Sequence, residues 1–365
     1  MSGTDLFPSA IPENGTRDTS PTIVLNNGDP TMYDSYWRQM RNKCNITLNG
    51  NDSLSYFANG KSLCWLLESK LEELIKRLHN IVGNAIMDKN YIVVGTGSSQ
   101  VVQVALYALS PSDQLEPISV VSASPFYSSY LDMTDFVRSK IHKWAGDAKT
   151  FEKDGPYIKL ITSPNNLDRI IREPVVNGDQ GKLIYDLYYY CPQYTSINSP
   201  ANHDVMVFTI SKCTSHEVAG KMTKFMEIST IGVSKEAQLR AAKILEVVSD
   251  SCLDFTLENF FQYSRSLMTD RWQRLRQVVT DNDLFFIQNY SPQYCIFIKD
   301  LCVSHPGGEE EDYEKLPKEH KIQTRSDKRL GTHSRKVRIS MLSRDEYFNI
   351  FLKRLMTIKG SINRK

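Results

Sequence analysis

The chain has 365 residues, which is more than one small core needs and predicts one large domain or two lobes. Its 44 basic and 42 acidic residues nearly balance, so charge gives no reason to expect a nucleic acid or an anionic membrane as partner. No run approaches the roughly 18 apolar residues of a transmembrane helix. Residues 1–22 lack the basic start and apolar centre of a signal peptide, so we expect a flexible leader. The seven cysteines form no C-x-x-C pair and the histidines have no metal-ligand spacing, which favours reduced thiols in a cytoplasmic protein without a metal site.

The predicted elements begin with a helix, because apolar residues recur at helical spacing from Ser62 to Val82. Five predicted strands follow, and they are YIVV before Gly95, PISVVS ending at Ser122, PYIKLIT, KLIYD ending at Asp186, and VMVFTISK ending at Lys212. The C-terminal third then has a helix after the N-cap Ser234, a long helix over Asn259 to Val279, strands in YCIFIKDLCV and KVRISML, and a closing helix after a capping box from Ser343 to Glu346.

The order of these elements predicts the fold class. Strands that alternate with helices are typical of an α/β fold with a mostly parallel sheet between helices. We expect this large domain to span residues 88–248. Residues 23–87 and 249–365 are predicted to form a smaller α+β domain with an N-terminal arm.

The candidate site residues follow the predicted strands, because ligands of open α/β sheets bind at the carboxyl ends of the strands. GTGSSQ offers glycines and free backbone N–H groups to an anion, although a glycine turn is often only a turn. Tyr127 is either a core aromatic or a ring that stacks on a ligand. Asp186 needs a cationic partner if it is buried, and Lys212 is either an ion-pair residue or a nucleophile. A phosphate cup, an aromatic ring, an asparagine, an aspartate and a lysine together describe one ligand, pyridoxal 5′-phosphate, whose protonated ring withdraws electrons.

Longer motifs then point to a family. The carrying stretches are YWRQM, SYFANGKSLCWLLE, YIVVGTGSSQ, SVVSASPFYSSY, GPYIKLITSPNN, FTISK, STIGVSKEAQLRAAKIL and RISMLSRDEYFNIFL. In these the chain resembles the plant tryptophan aminotransferase-related proteins of the alliinase C-terminal group. The resemblance implies a fold-type I aminotransferase that is a homodimer and binds pyridoxal phosphate. It also implies transfer of the amino group of tryptophan to pyruvate, which gives indole-3-pyruvate for auxin biosynthesis.

The resemblance also implies a role for single residues. Lys212 would bond to the cofactor aldehyde and move protons, Asp186 would pair with the ring nitrogen, and Tyr127 would stack on the ring. Asn166 and Tyr189 would hydrogen-bond the cofactor's phenolic oxygen, and Thr96, Gly97 and Ser98 would bind its phosphate. Tyr56 would reach the cofactor phosphate of the neighbouring subunit. Arg338 would bind the substrate carboxylate.

One segment departs from the family pattern. After the lysine the family continues through a glycine-rich turn, an arginine and an apolar strand, whereas this chain reads SKCTSHEVAGKM and has no arginine between Lys212 and Arg240. We expect the large sheet to lose that strand and the cofactor phosphate to lose a cationic contact. Two alternatives to an active tryptophan aminotransferase therefore stay open. One is a catalytically impaired relative or splice form, and the other is a carbon–sulfur lyase like the alliinases.

Overall fold

The computed structural model describes residues 21–26, 30–53, 63–88, 90–113, 115–136, 138–152, 154–165, 170–174, 180–208, 212–214, 222, 225–226, 229–230, 232–256, 258–282, 285–287, 298–303, 314–326 and 336–358. The strands are β1 (Ile23–Val24), β2 (Tyr91–Ile92), β3 (Ile118–Ser122), β4 (His142–Asp147), β5 (Tyr157–Thr162), β6 (Gly181–Asp186), β7 (Val205–Val207), β8 (Lys212–Thr214), β9 (Phe285–Ile287), β10 (Ile298–Val303), β11 (Ile322–Gln323), β12 (Arg325–Ser326) and β13 (Lys336–Ser340). The helices are α1 (Asp34–Gln39), α2 (Gly50–Ser53), α3 (Ser69–Val82), α4 (Ser98–Leu109), α5 (Ser129–Leu131), α6 (Lys235–Leu253), α7 (Phe260–Thr280), α8 (Lys315–Glu319) and α9 (Asp345–Thr357).

A seven-stranded sheet in the order β2-β8-β7-β6-β5-β3-β4 forms the centre of the fold. The pairs from β4 through β3, β5 and β6 to β7 are all parallel. Every residue of β3 and β5 is buried, because helices and loops cover both faces of a parallel sheet. The α/β fold class with a mostly parallel sheet is therefore confirmed.

The predicted fifth strand is wrong at its end. It stops at Val207, and Lys212 begins a separate strand, β8, which is antiparallel to both β7 and β2. The expectation that the large sheet loses a strand is also wrong, because β8 lies between β2 and β7. A gap there would leave the facing backbone N–H and C=O groups of β2 and β7 without ladder partners, and pairing with residues 212–214 satisfies them.

A four-stranded sheet in the order β12-β13-β10-β9 is the second part of the fold, and its pairs are antiparallel. α9 follows β13 and packs against α7, but the predicted capping box from Ser343 to Glu346 is wrong. The N-cap is Arg344 without a side-chain hydrogen bond, and the Ser343 hydroxyl has no partner among the described residues. The buried Arg271 instead donates from Nη1 to the Ser343 carbonyl at 2.6 Å and from Nη2 to Asp345 Oδ1 at 2.5 Å. These contacts fix the chain at the start of α9 but do not cap it, because a guanidinium cannot accept from the N–H groups of the first turn.

The other predicted helices are confirmed with small changes at their ends. α3 begins at Ser69 and not at Ser62. Ser234 caps α6 by accepting a hydrogen bond from the backbone N–H of Ala237 at 3.3 Å. Asn259 and Gln262 form a capping box at the start of α7, which the sequence analysis did not predict. In the described part of the chain, no helix is both long and apolar enough to cross a membrane. The domain boundaries and the leader stay predictions.

Candidate active site

Asp186 lies at the carboxyl end of β6 and is 9% exposed. Its Oδ2 accepts a hydrogen bond of 2.8 Å from the Tyr130 hydroxyl, which also lies 2.7 Å from Thr162 Oγ1. A phenol has one hydrogen, so Thr162 donates to Tyr130 and Tyr130 donates to Asp186. Complete burial raises the pKa of Tyr130 well above its ordinary value, and the negative Asp186 adds to the rise. Tyr130 therefore keeps its proton and donates it to the carboxylate in a hydrogen bond.

Tyr188 lies near the same carboxylate and was missed in the sequence analysis. Its backbone N–H donates to Asp186 Oδ1 at 3.3 Å. Burial raises the pKa of the Tyr188 phenol, the negative Asp186 adds to that rise, and the positive Arg338 opposes it. The phenol is thus within electrostatic range of Asp186 and of Arg338, which lies on the second sheet.

The start of α4 has the features of an anion site. Its N-cap is Gly97, which has no side chain to accept the N–H groups of the first turn, and Ser98 is the first helical residue. A Cβ on Gly95 would lie 2.7 Å from Val101 Cγ2 and 2.8 Å from Gln100 Oε1, so a larger residue there would force these side chains to shift. The Thr96 N–H donates to Gln100 Oε1 at 2.8 Å, which occupies one donor of the predicted cup.

Tyr127 lies on the loop after β3, as predicted, and its ring meets Tyr130 edge-on at 5.5 Å. That loop is tied to the end of β5, because Asn165 Nδ2 donates to the Pro125 carbonyl at 2.7 Å. Tyr127 is half-buried, so one part of its ring remains exposed. Tyr127 and Asp186, two of the predicted site residues, therefore both contact Tyr130.

The strand register relates Lys212 to this cluster. Thr162 pairs with Asp186, Asp186 with Val207, and Val207 with Lys212. The backbones of Asp186 and Lys212 therefore lie in one row across the sheet, two strand spacings or roughly 10 Å apart. Tyr189 is buried among aromatic rings, 4.5 Å from Tyr188 and 5.8 Å from Tyr194 between centroids.

Arg338 lies on β13 and is 6% exposed. Its Nη2 donates to the Asn26 carbonyl at 2.8 Å. Tyr56 and Asn166 lie outside the described residues, and so does the side chain of Lys212.

A cavity of about 350 Å³ lies elsewhere, between α3 and β2, and none of the predicted site residues lines it. Among the described residues, no group of three or more His, Cys, Asp and Glu side chains has the arrangement of a metal site.

Comparison with known proteins then gives the family. A family model described as Allinase matches residues 23–359. This chain belongs to the alliinase C-terminal family. It is 48% identical to tryptophan aminotransferase-related protein 2 of Arabidopsis thaliana over 93% of this chain and 82% of the relative. It is 42% identical to tryptophan aminotransferase-related protein 1 of Oryza sativa subsp. japonica, over 96% and 86%. Alliin lyase of Allium cepa var. aggregatum is 29% identical, over 88% and 78%.

Solved structures agree on the fold of this alliinase-family chain. The methionine aminotransferase YbdL from Escherichia coli superposes with a TM-score of 0.64 and 13% identity over 93% of each chain. The aspartate aminotransferase from Rhizobium meliloti superposes with a TM-score of 0.63 and 13% identity, over 92% and 90%. The fold is therefore that of the fold-type I aminotransferases, and the chain is a member of a pyridoxal-phosphate-dependent transaminase family.

The described residues fit that cofactor. A buried carboxylate with two hydrogen-bond donors at the end of a central strand suits a protonated ring nitrogen. An α4 N-terminus that has no capping side chain suits a phosphate. A half-buried Tyr127 offers a ring face for stacking. These three features follow strands of one sheet at their carboxyl ends, where ligands of such sheets bind.

Proposed function

We propose that the chain is an aminotransferase that moves the amino group of tryptophan or another aromatic amino acid to pyruvate or a related 2-oxo acid. The donor becomes indole-3-pyruvate when it is tryptophan, a precursor in auxin biosynthesis, and the acceptor becomes an amino acid. The register that aligns the backbones of Asp186 and Lys212 at one edge of the sheet carries this proposal. The identity of 48% to a tryptophan aminotransferase-related protein supports the choice of donor.

Each residue then has a defined task. Asp186, which accepts hydrogen bonds from the Tyr130 hydroxyl and the Tyr188 N–H, would hold the ring nitrogen protonated. When bound, the pyridine ring supplies an electron sink for the substrate Cα. Lys212 would bond to the cofactor and carry a proton between the substrate Cα and the cofactor C4′. Arg338 would bind the substrate carboxylate with its two parallel N–H groups.

Three further roles complete the proposed site. The backbone at Thr96, Gly97 and Ser98 would bind the phosphate, and Tyr127 would stack on the ring. Tyr189 and Asn166 would hydrogen-bond the phenolic oxygen. Tyr56 would reach the phosphate of a second subunit, so the proposed enzyme is a homodimer.

The first test is the visible absorbance spectrum of purified protein after addition of pyridoxal phosphate and dialysis. We expect a band of lysine-bound cofactor in the parent and none in Lys212→Ala. Lys353→Ala is the matched control, because Lys353 is exposed on α9. A parent without the band would contradict an active enzyme and would leave the impaired relative. A band that persists in Lys212→Ala would assign the bond to another lysine.

The second test identifies the reaction. Tryptophan and pyruvate should give indole-3-pyruvate, which chromatography detects. A cysteine sulfoxide should give no pyruvate. Pyruvate from the sulfoxide without indole-3-pyruvate from tryptophan would identify the carbon–sulfur lyase instead.

A further inference from the structure

The cavity between α3 and β2 has a floor of buried apolar side chains. Its volume of about 350 Å³ lies within the roughly 300–1,000 Å³ of small-molecule sites. The described residues of the floor are Cys64, Leu67, Met87 and Ile92. The half-buried Tyr91 adds an aromatic ring beside them. The floor therefore suits the apolar body of a small organic molecule.

The mouth of the cavity, formed by Glu72, Lys76, Asp88 and Asn90, has one net negative charge among the residues that the structure describes there. Lys76 Nζ donates to Glu72 Oε1 at 2.6 Å, and these two charges cancel. Asp88 is exposed, and no cation of the described residues lies within 4.0 Å of its carboxylate. A ligand with one positive charge would balance Asp88, whereas an anion would be repelled by it.

Asn90 offers a neutral acceptor at the same mouth. Its Nδ2 donates to the Ile86 carbonyl at 2.8 Å, which fixes which end of the amide is the oxygen. The amide oxygen can accept from a positively charged N–H group, and so can the carboxylate of Asp88. The mouth thus suits a protonated amine.

β2 joins this cavity to the candidate active site. Tyr91 and Ile92, which line the cavity, are the two residues of β2, and they pair with β8, the strand that begins at Lys212. The chain then continues from Ile92 to Gly97, the N-cap at the proposed phosphate site. A ligand that packs against β2 would therefore restrain both β8 and the start of α4.

We propose that this cavity is an effector site for a protonated organic amine whose apolar body has about the size of a phenyl ring. The charged nitrogen binds at Asp88 and Asn90, and the apolar body packs on the floor. The bound amine holds β2 in its pairing with β8 and so raises the affinity for the cofactor. The effect concerns cofactor binding, so it does not depend on which amino acid or 2-oxo acid reacts.

Calorimetric titration of the full chain tests the class of ligand. The probe is N,N-dimethyl-2-phenylethylamine, a tertiary amine that is positively charged at neutral pH and cannot condense with the cofactor aldehyde. 2-Phenylethanol has the same apolar body without a charge, and 3-phenylpropionate has a negative charge. We expect the amine to bind at least about fivefold more tightly than the alcohol, and the acid to bind most weakly. No binding of the amine, or equal binding of all three compounds, would overturn the inference.

Two variants change the charge of the mouth in opposite directions. Asp88→Asn removes the net negative charge and should weaken amine binding about three- to tenfold. Lys76→Gln leaves Glu72 unpaired and should strengthen it about two- to threefold. Asp113→Asn makes the same chemical change as Asp88→Asn on an exposed loop and should leave amine binding unchanged. If Asp88→Asn and Lys76→Gln shift the affinity in the same direction, the amine binds elsewhere and the site is wrong.

The coupling to the cofactor is measured separately from the binding of the amine. With saturating amine, titration of the visible absorbance with pyridoxal phosphate should give a cofactor affinity at least about fivefold higher than without it. If the chain binds no cofactor, amide hydrogen exchange at residues 91 and 92 replaces this readout, and the amine should slow it. An amine that binds without changing the readout would overturn the effector role, whereas a missing cofactor band would contradict only the proposed function.

Discussion

Asp186 and Lys159 are two buried charged residues of the same sheet, and their surroundings differ. Asp186 ends β6 opposite Thr162 of β5, and Lys159 lies three residues before Thr162 on that strand. Successive side chains of a strand alternate between faces, so Lys159 projects from the face opposite to Thr162. Asp186 is 9% exposed and Lys159 is 1% exposed.

The hydrogen bonds differ more than the burial. Asp186 accepts from the Tyr130 hydroxyl and the Tyr188 N–H, whereas Lys159 Nζ has no hydrogen-bond partner within the described part of the chain. Burial lowers the pKa of Lys159 to about 8, and the positive Arg172 contributes in the same direction. A charged side chain at a strand end can accept hydrogen bonds from loop residues and can contact a ligand. A charged side chain in the middle of a buried strand contacts only the sheet and the elements packed on it. We infer that Asp186 serves the site and that Lys159 reduces stability.

The largest expected effect comes from Asp186→Asn. The amide carries no charge to hold the ring nitrogen protonated, so cofactor affinity should fall about 10- to 100-fold. Titration of the visible absorbance with pyridoxal phosphate measures this affinity. The midpoint of thermal unfolding without cofactor should fall by only about 2–4 °C, because the new amide oxygen accepts from Tyr130 while its NH2 group cannot accept from the Tyr188 N–H. A large loss of stability with unchanged affinity would make Asp186 a structural residue and break the comparison.

Lys159→Met should stabilise the protein, because it removes a buried charge and keeps the side-chain volume. We expect the free energy of unfolding at pH 7 to rise by about 1–3 kcal/mol, measured by urea denaturation. Lys353→Met on the exposed face of α9 is the control and should change it by less than about 0.5 kcal/mol. A destabilised Lys159→Met would show that the amine has a stabilising partner.

The pH dependence of the Lys159→Met effect sharpens the comparison further. The folded-state pKa of about 8 lies below the ordinary value of 10.5, so the unfolded chain holds more protons between these two values. The parent should therefore gain stability as pH rises from about 8 to 10.5, and the advantage of the Met variant should shrink over that window. A constant difference from pH 7 to 10.5 would contradict the lowered pKa.

Tyr130→Phe should give the smallest effect. It removes the donor to Asp186 Oδ2 and leaves the Tyr188 N–H in place, so the carboxylate keeps one donor. We expect a loss of about 1 kcal/mol in unfolding free energy and a cofactor affinity about three- to tenfold lower, both measured as above. Thr162→Val, which removes only the outer member of the chain of hydrogen bonds, should change the affinity less than Tyr130→Phe does.

Local patterns of residues were enough to predict several parts of this protein. Apolar runs predicted the ends of β3 at Ser122 and of β6 at Asp186, the N-cap Ser234 predicted α6, and an amphipathic stripe predicted α7. The long motifs identified the family, because matches of this length are specific. The glycine turn before Ser98 and the loop with Tyr127 were also predicted, since each follows its strand directly.

The meeting of distant residues could be known only from the folded chain. The position of β8 between β2 and β7 depends on strand order, because antiparallel pairing of three residues has no periodic signal of its own. The hydrogen bonds from Thr162 through Tyr130 to Asp186 join three separate elements. The charges at the mouth of the cavity likewise meet only after folding, because Glu72 and Lys76 lie on α3 whereas Asp88 belongs to the loop before β2.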